Sequence, residues 1–391
     1  MSVTASFLSV LSLAAPGMST PVQEGRWRFE ADESGLSVRT PDKQWTFELG
    51  GRLHLDGVAV DDELTQLEDG FALRRARVDG TLRYGKRWSA RVDYDFGGLV
   101  EGWYSTWLRY DAPGPWRYTA GNMLVPFGLE NATSSNDTTF LERSQTSALL
   151  PGFAVGFQAE HAGENSYSAL GVFGDPLDAA PSRRSEGVGL FARHTRALWR
   201  DGDERLWHIG ASAEWRDVDD GSRYRMRVRP ELGTVERRLI DSRNLFDVDS
   251  ALTYGAESAL QFGPFSLQGE WIGAQLARDS QDVAFSAWYT QASYFLSGQS
   301  RRYRADRGSF TDPAGLSKDD AWELALRYSV LDLEDGDVTG GEGHNWTAGL
   351  NWYVNRNVRV MLNYVHADAT PNRNGLDETA RALALRLQLA F

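Results

Sequence analysis

The last twelve residues, Ala380 to Phe391, read A-R-A-L-A-L-R-L-Q-L-A-F, and they give the strongest indication of the fold. Leucine occupies every second position from Leu383 to Leu389, and Phe391 continues that face. Alanine, arginine and glutamine fill the positions between. Side chains alternate across a strand with period two, so one face is apolar and the other is small or polar. A strand between lipid and a wet lumen has this pattern. A strand of a soluble β-sandwich is the alternative.

Alternating segments of the same kind recur along the chain, bounded by glycine, proline, asparagine and aspartate. Sixteen strands are predicted, at 45–60, 71–84, 88–96, 103–111, 116–125, 153–161, 166–174, 186–196, 206–217, 247–262, 265–278, 283–297, 321–333, 345–354, 358–368 and 380–391. Short and long joints alternate, as turns and outer loops do in bacterial barrels. The long joints are 128–152, 175–185, 218–246, 334–344 and 369–379. One long segment, 298–320, falls on the short-turn side. The sequence therefore predicts an all-β fold, a 16-stranded antiparallel transmembrane β-barrel with inward-folded loops.

Composition supports a barrel over a soluble domain. The chain has 14 Trp, 14 Tyr and 18 Phe, although its mean hydropathy is only −0.44. An apolar outside, aromatic girdles and a wet inside give that combination. No run of 18 apolar residues is present, which excludes a transmembrane helix. The net charge of −13 argues against a nucleic-acid partner, and the absence of cysteine excludes disulfides and thiolate metal sites.

The chain divides into three parts. Residues 1–20 resemble a signal peptide without the usual basic start, residues 21–44 form an N-terminal periplasmic segment, and residues 45–391 form the barrel. Within the barrel, 128–152 follows the fifth strand and is long enough to fold inside as a constriction loop. The segment 218–246 is an arginine-rich outer loop. These assignments predict a protein of the bacterial outer membrane.

The lumen is predicted to be charged and mixed in sign, because the alternation turns charged residues inward. The inward set is Glu48, Arg52, His54, Asp56, Arg75, Arg77, Asp79, Arg83, Arg91, Asp93, Asp95, Glu323, Arg327, Arg359, Asn363, Arg386 and Gln388. Strict alternation points Arg74 outward, so it is expected either at the outer rim or on a β-bulge that re-aims it.

The arginine-rich loop carries Arg223, Arg225, Arg227 and Arg229 at every second position. In an extended chain their guanidinium groups share one face at steps of about 6.6 Å, and such a stripe attracts anions. Two alternatives remain. The arginines pair with acids of the loop, or with lipopolysaccharide phosphates. The candidate acids are Asp217, Asp219, Asp220, Glu231 and Glu236.

Several short motifs, taken in order, resemble the phosphate-selective porin O/P family over roughly residues 45–391. They include F-A-L-R-R-A-R at 71–77, Y-D-F-G at 94–97, P-F-G-L-E at 126–130, T-F-L-E-R at 139–143, R-P-E at 229–231 and Y-F-L-S-G at 294–298. The resemblance implies a trimeric porin with an arginine-lined path for phosphate or polyphosphate. It implies Arg52, Arg74 and Arg75 as pore-narrowing cations, Asp95 as an acid near their level, and Arg223 to Arg229 as a ladder.

The chain departs from the family in its lysines. Selective members use lysine along the pore, whereas this chain has three lysines in total, none between 87 and 317. The constriction loop also carries Glu130, Asp137 and Glu142 against Arg143. A general, weakly selective porin therefore stays open beside an anion porin.

Other functions fit less well. A barrel enzyme needs a catalytic constellation at one level, but the six histidines are scattered and without partner motifs. Adhesion through the outer loops finds no repeats to support it. The acidic cluster at Asp332, Glu334, Asp335 and Asp337 reads as a solvated loop rather than a metal site. No cofactor is predicted.

Overall fold

The computed structural model describes residues 27–32, 35–98, 101–177, 187–219, 223–316 and 320–391. The predicted signal peptide lies outside them. The strands are β1 (Arg28–Asp32), β2 (Gly35–Arg39), β3 (Trp45–Asp62), β4 (Gly70–Tyr84), β5 (Trp88–Asp95), β6 (Gly102–Trp103), β7 (Thr106–Asp111), β8 (Trp116–Leu124), β9 (Phe153–Ala162), β10 (Ser166–Phe173), β11 (Gly189–Asp201), β12 (Arg205–Asp217), β13 (Arg227–Val228), β14 (Ile240–Asp241), β15 (Val248–Phe262), β16 (Phe265–Arg278), β17 (Val283–Phe295), β18 (Arg301–Arg304), β19 (Ser309–Pro313), β20 (Ala321–Asp335), β21 (Val338–Tyr353), β22 (Val358–Ala369) and β23 (Glu378–Ala390).

Sixteen of these strands close into one antiparallel barrel. They are β3, β4, β5, β7 to β12, β15 to β17 and β20 to β23; each pairs with the next, and β23 pairs with β3. The predicted fold class and strand number are confirmed. Among the described residues, the helical parts are α1 (Leu129–Ala132) and a 3₁₀ turn at Gln145–Ala148. No described helix is long and apolar enough to span a bilayer.

The two faces of the last strand separate as the period-two pattern predicts. Leu383 and Leu387 are 51% and 47% exposed on the outside, whereas Arg386 and Gln388 are 0% and 5% exposed inside. The same division holds for β4, where Val78 and Leu82 face out and Arg77 is buried. Lipid thus meets aliphatic and aromatic side chains, and the charged residues turn toward the lumen.

The predicted outer loop at 334–344 is wrong. β20 and β21 instead continue to Asp335 and Val338, which pair with each other across a two-residue turn at Gly336 and Asp337. Gly336 has φ 57°, a backbone region that glycine adopts readily. The acidic residues made this segment look like a loop, but strands that project beyond the bilayer can carry charge on both faces.

The N-terminal hairpin adds to the same sheet at the short-turn end, which is periplasmic in bacterial barrels. β1 pairs with β2, and β2 pairs with the first residues of β3. Immediately above, the backbone N–H groups of Gly51 and Phe391 each donate to the other's carbonyl, at 2.8 and 3.0 Å. β2 and β23 therefore follow one another along β3.

In the part of the chain that the structure describes, three segments fold into the lumen. The constriction loop (128–152) and the arginine loop (218–246) enter from the outer end. The third is the hairpin β18–β19, within the long segment 298–320 that breaks the alternation of joints. It enters from the periplasmic end, and the hydroxyl of Tyr303 lies 2.6 Å from Nδ1 of the buried His208 on the wall. Arg193 donates to the carbonyl oxygens of Arg307 and Gly308 at the hairpin tip, at 3.1 and 2.8 Å.

Candidate anion pathway

The constriction loop is held against β20–β23 by arginines that reach from the wall to its carbonyl groups. Arg359 donates to the carbonyl oxygens of Thr138 and Thr139 at 2.8 and 3.2 Å. Arg386 donates to that of Leu141 at 2.5 Å, and Arg327 to that of Glu142 at 3.1 Å. A carbonyl that accepts a charged donor needs no other partner, so these hydrogen bonds fix an otherwise irregular loop.

The arginine loop alternates as predicted, with its apolar side chains on the wall side. Met226 and Val228 are buried in the largest apolar cluster of the molecule, and Tyr224 packs against it. Among the loop's described residues, only β13 and β14 form a regular pair, so the loop is extended but mostly without a ladder. Its apolar face anchors it, and this leaves the arginine face toward the lumen.

The four arginines of that face divide into two kinds. Arg225 donates through Nε to Oδ1 of Asp241 at 2.7 Å, and Arg229 donates to the carbonyl of Val235 at 2.7 Å. Asp241 was not among the acids considered from the sequence. Arg223 and Arg227 are exposed, and neither has a carboxylate within 4.0 Å among the described residues.

Positive charge accumulates where the loop turns back. Burial and the charges of Arg229 and Arg227 lower the pKa of Arg238 to about 10. A guanidinium is disfavoured there because like charges crowd it and water is partly excluded. The inner part of the arginine loop is therefore a region in which an anion would relieve repulsion.

Arg74 reaches the lumen through a β-bulge. His54 pairs with Arg75 and Leu55 with Leu73, so Arg74 is the extra residue of β4. Its guanidinium forms a two-pronged ion pair with Glu142 of the constriction loop, at 2.8 and 2.9 Å. The bulge alternative, rather than the outer-rim alternative, describes this residue.

Glu142 is shared by two arginines. Arg386 lies 2.8 Å from Oε1 of Glu142 and also holds Asp56 through two hydrogen bonds of 2.7 Å. Gly233, in the arginine loop, lies against this cluster, because a Cβ at that position would be 2.3 Å from Oε1 of Glu142 and 2.5 Å from Nε of Arg74. The two outer loops and the wall thus meet at Glu142.

Arg77 and Asp95, two further predicted pore residues, are paired with each other. Arg77 donates to Oδ2 of Asp95 at 3.2 and 3.1 Å, and its guanidinium lies 3.6 Å from the ring centroid of Tyr104. Asp95 also accepts the backbone N–H groups of Ala76 and Gly97 at 2.9 and 3.2 Å. Both are nearly buried, and they join β4 to the chain after β5.

Arg52 and Arg75 differ from their neighbours, because neither has a carboxylate within 4.0 Å in the described part of the chain. Arg52 donates from Nη1 to Oγ of Ser135 at 3.0 Å. Nη1 of Arg75 lies 3.3 Å from Nδ1 of His54, and Nε2 of His54 lies 3.3 Å from Oδ1 of Asn136. Among the predicted pore-narrowing cations, these two keep their charge unneutralised.

His54 sets the geometry of this pair, a role that sequence reasoning missed. Arg75 has only donors, so Nδ1 of His54 must accept, and the ring proton then lies on Nε2 and points at Oδ1 of Asn136. A neutral imidazole between arginines spaces them without adding charge. The only signal in the sequence was its inward position on β3.

A half-buried carboxyl marks the periplasmic side of the constriction. Asp137 lines a cavity of about 290 Å³ with Asp312, Arg356 and Arg359. Burial and the like charge of Asp312 raise the pKa of Asp137 to about 6, against the opposing charges of Arg359, Arg52 and Arg301. The carboxyl titrates near neutral pH, at the exit from the narrow region.

We expect anion preference to rise as the pH falls from 7.5 to 5. Asp137 is ionised above its raised pKa and neutral below it, so acidification removes one negative charge from the pore. The raised pKa also means that ionisation of Asp137 opposes folding as the pH rises through 6. Reversal potentials in a salt gradient at the two pH values measure the change, and Asp137→Asn is the control. An equal pH response in that variant would assign the titration to another group.

This architecture defines a class of protein. A closed sixteen-stranded barrel with an apolar outside, a charged lumen and segments folded inward is an outer-membrane porin. Residues 47–391 match the family described as phosphate-selective porin O and P, and the chain belongs to that family.

Relatives and solved structures agree with this assignment. Porin O of Pseudomonas aeruginosa is 28% identical over 405 residues, covering 92% of this chain and 91% of that protein. The anion-selective porin from Comamonas acidovorans has a TM-score of 0.55 at 14% identity, covering 89% of this chain and 100% of that one. OmpT of Vibrio cholerae in its trimer form has a TM-score of 0.56 at 12% identity, covering 89% and 99%.

Proposed function

We propose that this porin conducts small anions, phosphate among them, from the exposed arginines of the outer loop to a narrow site at Arg52 and Arg75. The division of the lumen arginines carries the proposal. Most of them are neutralised or bound to loop carbonyls, whereas Arg52 and Arg75 lie beside the constriction loop without a carboxylate partner. These two are the β3 and β4 arginines whose uncompensated charge acts on a passing anion, Arg52 being half-buried and Arg75 buried.

The route begins at Arg223 and Arg227, which draw anions into the outer vestibule. Arg229 and Arg238 continue the positive charge toward Arg74. Phosphate would exchange hydration water for guanidinium N–H groups at each point, since guanidinium offers paired donors to oxyanions. Several weak sites in succession let the anion leave as well as enter.

The carboxylates in the constriction favour moderate rather than strict selectivity. Glu142 cancels much of the charge of Arg74 and Arg386, and Asp137 adds negative charge on the far side. A weakly selective general porin is therefore the second candidate. Phosphate block separates the two, because only a binding site in the narrow region produces it.

We propose a channel and no enzyme. The close Ser–His contact formed by Ser168 and His194, at 2.8 Å, lies on the outer face of β10 and β11, away from the lumen.

We also propose a homotrimer, supported by the trimer form of the Vibrio cholerae barrel. Arg381, exposed near the outer end of β23, is a candidate contact for lipopolysaccharide phosphates. For the chain as a whole, we propose that residues 1–20 are an export signal.

The test is a reversal potential in a chloride gradient, repeated with phosphate added. An anion-selective channel whose chloride current falls at low phosphate concentration would support the proposal. A channel that shows little selectivity and no phosphate block would replace it with the general porin.

Removing the exposed charges of the outer loop is expected to weaken anion capture. In Arg223→Gln/Arg227→Gln, the loop keeps its apolar anchors, so its position is retained while two free charges are lost. We expect a slower phosphate on-rate, by about tenfold at low salt, with the effect fading as salt screens it. Arg39→Gln/Lys43→Gln, in and beside the N-terminal hairpin, loses the same charge away from the lumen. Equal effects in both variants would show that the total charge of the protein, rather than a path along the arginine loop, determines the phosphate on-rate.

A further inference from the structure

Asp137 differs from the other carboxylates around the constriction, because its side chain accepts no hydrogen bond from any described residue. Asp95 and Glu142 each bind an arginine. Oδ2 of Asp312, which lines the same cavity as Asp137, accepts Nε of Arg356 at 3.3 Å. A carboxylate that is partly shielded from water normally has such donors, so the unpaired side chain of Asp137 needs an explanation.

The backbone on both sides of Asp137 is held firmly. Nε2 of Gln388 donates to the carbonyl oxygen of the preceding residue at 3.0 Å, and Nη1 of Arg359 donates to that of the following residue at 2.8 Å. The N–H group of Asp137 donates to the carbonyl oxygen of Ser134 at 2.8 Å. Asp137 is therefore kept in place by its neighbours, while its own carboxylate holds no other part of the loop.

The cavity that Asp137 lines follows the narrow site toward the periplasm. Arg52 pairs with Ala390 across β3 and β23, and Ala390 lines this cavity. Arg356 and Arg359 also line it. An anion that leaves Arg52 in this direction therefore meets guanidinium groups and an unpaired carboxylate together.

The two kinds of group suit an anion that carries a hydroxyl. The pKa of Asp137 is raised to about 6, so its carboxylate is ionised at pH 7.5 and can only accept hydrogen bonds. At that pH inorganic phosphate keeps at least one P–OH group, whereas sulfate and chloride carry no hydrogen. Phosphate can place its charged oxygens on guanidinium and its hydroxyl on the carboxylate. A site that binds a hydroxyl rejects an analogue without one, because the polar group of the site is then left unpaired.

We propose that Asp137 selects oxyanions that carry a hydroxyl, inorganic phosphate among them, over sulfate and chloride on the periplasmic side of the constriction. Its carboxylate accepts the hydrogen bond of the passing ion. The same negative charge weakens the hold of the cavity on every anion, and weak binding lets the ion leave. The inference rests on the proposed anion path, and it names the class of anion that this path favours.

Block of the chloride current by phosphate and by sulfate, measured on the same channel at pH 7.5, tests this selection. Sulfate is the matched probe, because it is also tetrahedral and carries at least as much negative charge. In the wild type, we expect half-block by phosphate at a concentration about tenfold or more below that of sulfate. In Asp137→Asn, we expect this ratio to fall roughly tenfold, because the amide no longer repels sulfate and accepts a weaker hydrogen bond from phosphate. The substitution removes no hydrogen bond within the described part of the chain, so the loop is expected to keep its position.

Asp312→Asn is the charge-matched control, since it removes from the same cavity a carboxylate that already binds Arg356. Both anions are expected to block this variant more strongly, with their ratio unchanged. An equal fall of the ratio in the two variants would show that charge alone acts, and it would overturn the proposal. Wild-type channels blocked equally by phosphate and sulfate would also overturn it, while the anion path would stand. If phosphate fails to block the wild type at all, the proposed function is wrong and this inference falls with it.

Discussion

Arg52→Glu/Arg75→Glu is expected to turn the channel from anion-preferring to cation-preferring. Among the described residues, these are the arginines of β3 and β4 without a carboxylate within 4.0 Å, so each substitution puts a negative charge where an uncompensated positive one stood. In a narrow lumen with low-dielectric walls, such a change dominates the local potential. The sign of the reversal potential in a salt gradient measures the result.

The conservative double variant separates charge from geometry. Arg52→Lys/Arg75→Lys keeps both charges but loses the planar donor forks. We expect anion preference to persist while phosphate block weakens about tenfold, the effect of losing one charge-assisted hydrogen bond. A glutamate at 75 is near Arg74 and Arg386, and one at 52 is near Arg77 and Arg91. The barrel is therefore expected to fold, and gel mobility before and after heating checks this. Retained anion preference in the glutamate variant would exclude Arg52 and Arg75 as the narrow site.

Arg327→Ala is expected to loosen both outer loops at once. Arg327 is 1% exposed, contacts Oε1 of Glu130 at 3.0 Å, and also binds Glu231 of the arginine loop. Its guanidinium lies over the ring of Phe140 at 4.4 Å. Removing one partner of a buried ion pair costs about 3–5 kcal/mol, because the remaining charges are left unpaired. The barrel ladder does not depend on these contacts, so the cost falls on the loops.

Larger and noisier single-channel currents, with phosphate block lost, are the expected signature. Limited proteolysis is expected to cut the constriction loop or the arginine loop faster than in the wild type. Arg327→Met combined with Glu130→Gln and Glu231→Gln also removes the carboxylate charges that Arg327→Ala leaves unpaired. This variant tests whether those charges loosen the loops, since a neutral cluster tolerates the missing cation. Quiet currents of wild-type size in Arg327→Ala would show that the loops are held by other contacts.

The barrel was predictable because a strand with lipid on one side and the lumen on the other alternates apolar and polar residues. The closing strand shows this, since each of its leucines faces out and its Arg386 and Gln388 face in. The hairpin β18–β19 gave a weaker signal in the sequence, because it was visible only as the one long joint on the short-turn side. Its insertion into the lumen depends on contacts such as Tyr303 with His208, which no periodic pattern records.

The candidate site was predictable only as a set of inward arginines. Arg52, Arg75, Arg327 and Arg386 look alike in a strand pattern, because alternation gives direction and not partners. In the folded protein these arginines differ, because carbonyl and carboxylate groups from distant segments bind some of them and not others. Arg74 reaches the lumen only through a β-bulge, and the hydrophobic period does not predict such a one-residue change of register.

The pairing of β23 with β3, beside β2, has a consequence for how the protein is made. The first and last barrel strands are joined by hydrogen bonds, and Phe391 completes that seam through Gly51. Until β23 has been exported, the growing sheet has two open edges whose N–H and C=O groups can pair with any other strand. Closure of the barrel must therefore wait for β23. We expect the incomplete sheet to need a periplasmic chaperone, because its edges and its lipid-facing side are both exposed until the barrel closes.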